Sequence, residues 1–292
     1  MNSFGRLFRI SIFGESHGVM VGVVIDGCPV GIPLSEDDFS NDLSRRKAGE
    51  KGTTPRIEAD IPKIVSGVYK GKTTGAPLTI IFENTNTKSS DYENLSYHFR
   101  PGHADFTANK KFGGYNDPRG GGHFSGRITI GIVAAGVVAK KIISPCTVNA
   151  SLIEIGGSVQ FEEQIEYAIK HKDSFGGLIE CVCSNVPSGL GEPFFDSVES
   201  LIAHIIFAIP ATRGIEFGSG FASSRMKGSE HNDVFIDDKG KTKTNHAAGI
   251  NGGITNGNDI IFRVPVKPTS SIGIEQLSYN MKTGKIEPLL IE

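Results

Sequence analysis

The chain has 292 residues, 30 of them basic and 32 acidic, for a net charge of −2. That length accommodates one large domain or two intimate ones, with a substantial core. The charge balance excludes a global field for nucleic acid or membrane surfaces, so any anion site must come from a local concentration of arginine. Glycine is in excess, with 37 residues against a usual share near ~7%. Turns and close backbone approaches account for it, since no collagen-like period is present.

Phe4 to Phe13 alternates loosely and predicts a strand that delivers Gly14-Glu-Ser-His-Gly18, a polar turn. Val19 to Ile25 predicts a buried strand. Ser35 then opens a helix with Asp38 at the capping-box position, and Arg45 and Arg46 leave that helix at its C-terminal end. A Lys/Gly-rich loop runs on to Thr54. Ile61 to Tyr69 and Leu78 to Phe82 predict strands joined by a Gly-rich turn, and Glu83 to Tyr97 is polar and irregular. Arg100-Pro-Gly-His-Ala-Asp105 follows as a turn.

Arg119-Gly-Gly-Gly-His-Phe-Ser-Gly-Arg127 comes next, with Ser125 as the expected N-cap of an apolar helix reaching Ile143. Consecutive glycines leave backbone N–H groups uncovered, and a helix start adds the positive end of its dipole. The loop is either a tight turn before a buried helix or an anion site. Two arginines and a histidine within nine residues favour a phosphate or carboxylate site. It is not a P-loop, because no Gly-Lys-Ser/Thr follows.

Beyond the helix, a strand is expected near Ser151 to Ile155, a helix over Phe161 to Lys170, and a strand over Leu178 to Cys183. Asp196 with Glu199 is expected to cap a further helix, whose apolar residues Val198, Leu201, Ile202 and Ile205 share a face. Two stretches echo each other. Val24-Ile25 and Pro29-Val-Gly31 match Cys181 to Cys183 and Pro187-Ser-Gly189. Thr74-Gly75 before Ile80-Ile81-Phe82 matches Asn256-Gly257 before Ile260-Ile261-Phe262. The echo suggests an internal pseudo-repeat, with coincidence in a Gly/Pro-rich chain as the alternative.

The four cysteines show no metal spacing and are expected to be buried free thiols. No secretion pattern opens the sequence and no apolar run is long enough for a bilayer, so a soluble, cytoplasmic protein is expected. Aromatic residues do not interleave with the arginines, which disfavours nucleic acid. His17 and His103 stand in Gly-flanked polar turns and are the accessible candidates for proton transfer near neutral pH. Arg46, Arg100, Arg119 and Arg127 suit bidentate binding of a small polyanion.

Five segments, Gly14-Glu-Ser-His-Gly18, Arg100 to Asp105, Arg119 to Arg127, Gly249-Ile-Asn-Gly-Gly-Ile254 and Val266-Lys-Pro-Thr-Ser-Ser271, match in order and spacing the motifs of chorismate synthase. The chain resembles that family from Phe4 to about Ser271. The resemblance implies an α+β fold, a β-α-β sandwich with central helices between outer sheets, in one domain over residues 1–292 that assembles as a homotetramer. It implies conversion of 5-enolpyruvylshikimate 3-phosphate to chorismate and phosphate by anti-1,4-elimination with reduced FMN.

The resemblance also assigns roles. His17 would serve the leaving phosphate and His103 the flavin N1 side. Ser16, Arg46, Arg100 and Arg127 would hold the substrate, and Arg46 a nicotinamide nucleotide (NADPH as reductant). His103, His123, Phe124, Ser125, Ala211, Gly252, Lys267, Pro268, Thr269, Ser270 and Ser271 would bind flavin. The segment Pro145 to Phe161 and the loop Gly49 to Thr54 are compact for the family, and His123-Phe124 replaces the Arg-Ser of many relatives. The family continues with a Gly-Arg-His-Asp motif that supplies an arginine to flavin and substrate and an aspartate near flavin N5. The sequence ends at Leu289-Leu-Ile-Glu292, about where that motif is expected to begin.

Overall fold

The computed structural model describes residues 2–49, 51–53, 58–86 and 97–291. The end of the Lys/Gly-rich loop at Thr54 and most of the polar stretch between Glu83 and Tyr97 therefore lie outside the described residues. Helices mix with antiparallel strands, in agreement with the α+β reading, and they fall into two compact units. One comprises Met1–Ile142, Ala168–Asp173 and Ser270–Glu292; the other comprises Ile143–Tyr167 and Ser174–Thr269.

The first unit contains β1 (Ser3–Phe4), β2 (Arg9–Gly14), β3 (Met20–Asp26), α1 (Ser40–Arg46), β4 (Lys63–Ser66), β5 (Val68–Tyr69), β6 (Lys72–Thr73), β7 (Leu78–Glu83), α2 (Asp105–Phe112) and α3 (Thr129–Ile142). Its main sheet is antiparallel in the order β1-β2-β3-β7-β4, and β5 with β6 makes a separate hairpin. The stretch from Phe4 to Phe13 is thus a hairpin, where a single strand was expected. Gly5 turns the chain at φ +95°, and a Cβ there would stand 2.0 Å from the Phe8 carbonyl oxygen. The Ile61 to Tyr69 run likewise breaks, at Gly67, into β4 and β5.

Period-two burial on β3 and β7 places Val21, Val23, Ile25, Leu78, Ile80 and Phe82 in the core. Helix α3 lays Ile130, Ala134 and Val138 against β2, β3 and β7. Phe39 and Leu43 close the same core from the α1 side. Each such side chain contributes roughly 1.5–3 kcal/mol by leaving water. The Ser35 N–H donates to the Asp38 carboxylate at 2.8 Å, as the capping box requires, although the first turn, Glu36–Phe39, is a 3₁₀ turn ahead of α1. Lys140 and Lys141 tie the end of α3 to Asp42 and Asp38, each at 2.7 Å. Helix α2 has no counterpart in the sequence reading: its buried residue is Ala108, and it carries no apolar stripe.

Then come β8 (Thr147–Ile155), α4 (Phe161–His171), β9 (Gly177–Ser184), α5 (Val198–Ile206), β10 (Glu216–Phe217), β11 (Ile250–Asn251), β12 (Ile254–Thr255) and β13 (Ile260–Val266). The second unit's sheet is antiparallel in the order β10-β13-β9-β8. Its core gathers Cys181, Val186, Ile250, Ile260, Phe262 and Val264, with Val198, Ile202 and Ile206 of α5 packed against them. Ser197 caps α5, where Asp196 was expected: its Oγ accepts the Ser200 N–H at 3.1 Å. All four cysteines are free thiols; Cys28 and Cys181 are buried as expected, whereas Cys146 and Cys183 are only half-buried. Finally β14 (Gln276–Asn280) and β15 (Lys285–Leu289) form a hairpin in the first unit. His98 is buried there, and its Nε2 donates to the Ser278 carbonyl at 3.0 Å.

Each unit contains the same hydrogen-bonded corner. In the first, the Thr73 hydroxyl donates to the Pro29 carbonyl at 2.6 Å and accepts the Ile32 N–H at 3.0 Å, while the Gly31 N–H reaches the Thr73 carbonyl at 2.8 Å. In the second, the Thr255 hydroxyl donates to the Pro187 carbonyl at 2.6 Å and accepts the Leu190 N–H at 2.9 Å, while the Gly189 N–H reaches the Thr255 carbonyl at 2.8 Å.

Candidate active site

Within the first unit the triple-glycine loop is seated on the β2–β3 turn. Gly120, Gly121 and Gly122 have φ of +58°, +80° and +54°, the region open to glycine. A Cβ on Gly120 would stand 2.6 Å from His17 Cδ2 and 2.8 Å from Ser16 Oγ, and one on Gly122 would stand 2.1 Å from the Asp117 carbonyl oxygen. The Ser16 N–H donates to the Gly122 carbonyl at 3.1 Å. Ser125 does cap, but locally: its Oγ accepts the Arg127 N–H at 3.3 Å over the 3₁₀ turn Gly126–Ile128, and α3 starts after that turn.

His17, expected to be accessible, is buried at 9% exposure because the glycine loop closes over it, and Ser16 is fully buried. His123 does not line the cavity described below. Its Nδ1 donates to the Gly14 carbonyl at 2.8 Å and its Nε2 lies 3.1 Å from Asn2 Oδ1.

Two of the arginines converge on one carboxylate inside the fold. Arg127 is buried, with Nη1 on Asp60 Oδ1, Nε on Asn84 Oδ1 at 2.9 Å and Nη2 on the Glu83 carbonyl at 3.2 Å. Arg46 Nη1 donates to the other Asp60 oxygen at 2.6 Å. Asn84 extends the network, since its Nδ2 donates to the Glu15 and Gly18 carbonyls at 3.0 and 2.8 Å, on either side of Ser16 and His17. Burial lowers the Arg46 pKa; Asp60 opposes this, and the charge of Arg127 adds to the lowering. Two guanidiniums facing one carboxylate leave this cluster a net positive charge.

The same unit holds a cavity of about 340 Å³, lined among others by Arg100, His103, Asn116, Gly120, Phe124, Ser125 and Ser271; Arg46, Arg127 and Asp60 are not among its lining residues. That size suits a small organic ligand. His103 is half-buried, and its Nε2 lies 3.0 Å from Ser271 Oγ; the Ser270 hydroxyl donates to the Gly102 carbonyl at 3.0 Å. Arg100 forms a two-pronged pair with Asp105, Nε and Nη2 each at 2.8 Å from one of its oxygens. Burial pushes the Asp105 carboxyl up, and the hydrogen bonds and charge of Arg100 outweigh it, holding the group below the usual carboxylate range. Asp117 is also held low, chiefly by hydrogen bonding to Arg119.

The first unit therefore brings His103, Arg100, Phe124, Ser125 and Ser271 to one cavity. His17 and Ser16 pack on Gly120, a wall of that cavity, and Arg46 and Arg127 share Asp60. Ala211, Gly252, Lys267, Pro268 and Thr269 belong to the second unit. There the Lys267 N–H donates to the Ala211 carbonyl at 2.9 Å, Ala211 stands at φ +71°, and Gly252 forms the β11–β12 turn. Asp60 and Asn84 were missed in the sequence. Asn84 lies inside a polar stretch and bonds groups 43 to 69 positions away, and Asp60 joins arginines 14 and 67 positions away. Among the described residues no group of His, Cys, Asp and Glu is arranged for a metal ion, and no helix is long and apolar enough to cross a membrane.

Comparison with known proteins gives one consistent answer. The family model for chorismate synthase matches residues 8–292. The chorismate synthase of Chitinophaga pinensis is 63% identical over 288 residues, covering 98% of this chain and 87% of the relative. That of Dehalococcoides mccartyi is 45% identical, covering 97% of this chain and 86% of the relative. A crystal structure of a chorismate synthase superposes with a TM-score of 0.74 at 27% identity, covering 90% of this chain and 84% of that one.

Proposed function

The chain belongs to the chorismate synthase family, the lyases that convert 5-enolpyruvylshikimate 3-phosphate to chorismate in the shikimate pathway, and from that premise we propose where this molecule performs the reaction. The site is the first unit's cavity together with the Ser16–His17 turn. The observation that carries this reading is Gly120, which walls the cavity on one side and presses against His17 and Ser16 on the other.

In the anti-1,4-elimination, His17 donates a proton or hydrogen bond to the departing phosphate, and its burial strengthens that interaction by excluding water. Ser16, Arg46, Arg100 and Arg127 hold the phosphate and the two carboxylates. Asp105 fixes the plane of the Arg100 guanidinium in advance, so little orientation is lost on binding.

Reduced FMN, when bound, supplies electron density to the substrate ring as the carbon–oxygen bond to phosphate breaks. The residues present suit it. Among the described residues three buried side-chain atoms lack a partner, and one of them, Asn116 Oδ1, belongs to a residue of the cavity wall. Another, Thr212 Oγ1, is next to Ala211. His103, Phe124, Ser125, Ser270 and Ser271 are the residues of the first unit we assign to the flavin, with His103 holding a proton on its N1 side. In the second unit Ala211, Gly252, Lys267, Pro268 and Thr269 keep the same assignment, and Lys267 and Thr269 carry donors suited to a phosphate. His123, whose ring nitrogens face Gly14 and Asn2, is the weakest member of the set.

The reading extends to a homotetrameric cytoplasmic enzyme working as one catalytic domain, with Arg46 meeting NADPH during flavin reduction. It includes a β-α-β sandwich whose two halves are an internal repeat. The matching Thr73 and Thr255 corners support the repeat, as do the ladders, where Leu78 opposite Ile25 corresponds to Ile260 opposite Cys183. That register sets Leu78 against Ile260, where the sequence echo had set Ile80.

Anaerobic turnover of 5-enolpyruvylshikimate 3-phosphate with reduced FMN tests the assignment. His17→Ala and His103→Ala are expected to lose at least ~10²-fold in kcat, the scale of general acid–base groups. Near-normal rates in both variants would remove the proton roles.

A further inference from the structure

We propose that Asp60 is a positioning residue of the anion site, which fixes the guanidiniums of Arg46 and Arg127 and holds their joint charge at +1. The inference rests on the reading of those two arginines as substrate contacts. Asp60 is 6% exposed and stands at φ +53°, a conformation that Asp and Asn adopt more readily than other side chains. Each of its oxygens serves a different arginine, Oδ1 receiving Arg127 and Oδ2 receiving Arg46.

The orientation imposed on Arg127 continues through Asn84 to the carbonyls of Glu15 and Gly18, which bracket Ser16 and His17. A single carboxylate thus aligns both guanidiniums and the turn that bears the proton donor. Glu58, also buried, stands two residues earlier. Its Oε2 accepts the Thr85 N–H at 2.9 Å and the Thr85 hydroxyl at 3.0 Å. The Arg46–Asp60–Arg127 cluster is therefore one charge short of neutrality. An anion that enters completes it. Without Asp60 two unopposed guanidiniums would hold an anion harder than turnover allows, since charge pairs strengthen as water is excluded.

The test uses the full chain, with inorganic phosphate as probe in calorimetry at low salt and steady-state turnover beside it. Asp60→Asn keeps the left-handed backbone and an acceptor oxygen but removes the charge. It is expected to bind phosphate at least ~10-fold more tightly and to lose at least ~10-fold in kcat, a combination that mere loosening of the fold does not produce. Should Asp60→Asn fail to fold, the double variant Arg46→Gln/Asp60→Asn restores the charge of +1. Phosphate affinity is then expected within about threefold of the parent, with kcat still low. Phosphate affinity and kcat within about threefold of the parent in Asp60→Asn, or phosphate bound ~10-fold tighter in the double variant, would overturn the proposal. Arg46→Ala separates the two levels of inference. If it leaves phosphate binding unchanged, the substrate role of the arginine fails. If it abolishes binding while Asp60→Asn changes nothing, only the role of Asp60 fails.

Discussion

A methyl group placed on Gly120 tests the contact on which the proposed site depends. In Gly120→Ala the new Cβ would lie 2.6 Å from His17 Cδ2, 2.7 Å from His17 Nε2 and 2.8 Å from Ser16 Oγ. Carbon contacts settle at about 3.5 Å, so the imidazole must retreat by about 0.9 Å or the loop must lift. Neither side chain has room, since His17 is 9% exposed and Ser16 is fully buried. The backbone adds its own cost, about 1–2 kcal/mol for a non-glycine residue at positive φ. In a chain of this size that lowers Tm by roughly 2–4 °C per kcal/mol. A displacement near 1 Å at a reacting group costs on the order of 10²-fold in rate, which is the expected loss in kcat/KM.

Gly121→Ala is the control. It carries the same backbone strain, at φ +80°, but its Cβ would meet nothing nearer than Ser125 Cβ at 3.8 Å. It is expected to lose similar stability while keeping turnover within about tenfold. Anaerobic steady-state kinetics together with thermal unfolding of both variants would measure the difference. Equal losses of activity in the two, or normal turnover in Gly120→Ala, would refute the reasoning.

Two further outcomes are expected. The Asp105 carboxyl is held below its ordinary range by Arg100 against the effect of burial, so its contribution is complete above the unfolded pKa of about 3.9 and disappears as pH falls through the lower folded value. Urea unfolding should therefore show Asp105→Asn less stable than the parent at pH 7, with the gap closing in acid; a gap independent of pH would contradict the pairing. Thr73→Val and Thr255→Val each remove a buried hydroxyl that satisfies one carbonyl and one N–H. Each should cost about 1–3 kcal/mol, and the two losses should be similar if the corners are equivalent. A large loss from only one of them, seen in thermal unfolding, would argue against the repeat.

Much of this protein was written locally. Strands β3 and β9, helices α1, α4 and α5, and the loop from Arg119 to Arg127 follow from period, cap and glycine signals that act over a few residues. The order of the motifs was enough to indicate the family. The turns at Pro29 and Pro187 were visible too, because proline and glycine punctuate a corner. Local signals also misled at particular points. Phe4 to Phe13 looked continuous because a glycine inside an apolar alternation does not announce its φ, and α2 went unseen because Ala108 alone is buried on it.

Only the folded chain determined how the charged groups meet. Asp60 joins Arg46 and Arg127 across 14 and 67 positions of sequence, and no local preference encodes such a partnership. The burial of His17 likewise depends on a loop more than a hundred residues away whose glycines let the backbone approach. Side-chain chemistry set which groups were available for an acidic substrate. Closure of the loop over the turn is what buries His17 and Ser16, and charges and proton donors gain strength where packing removes water from around them.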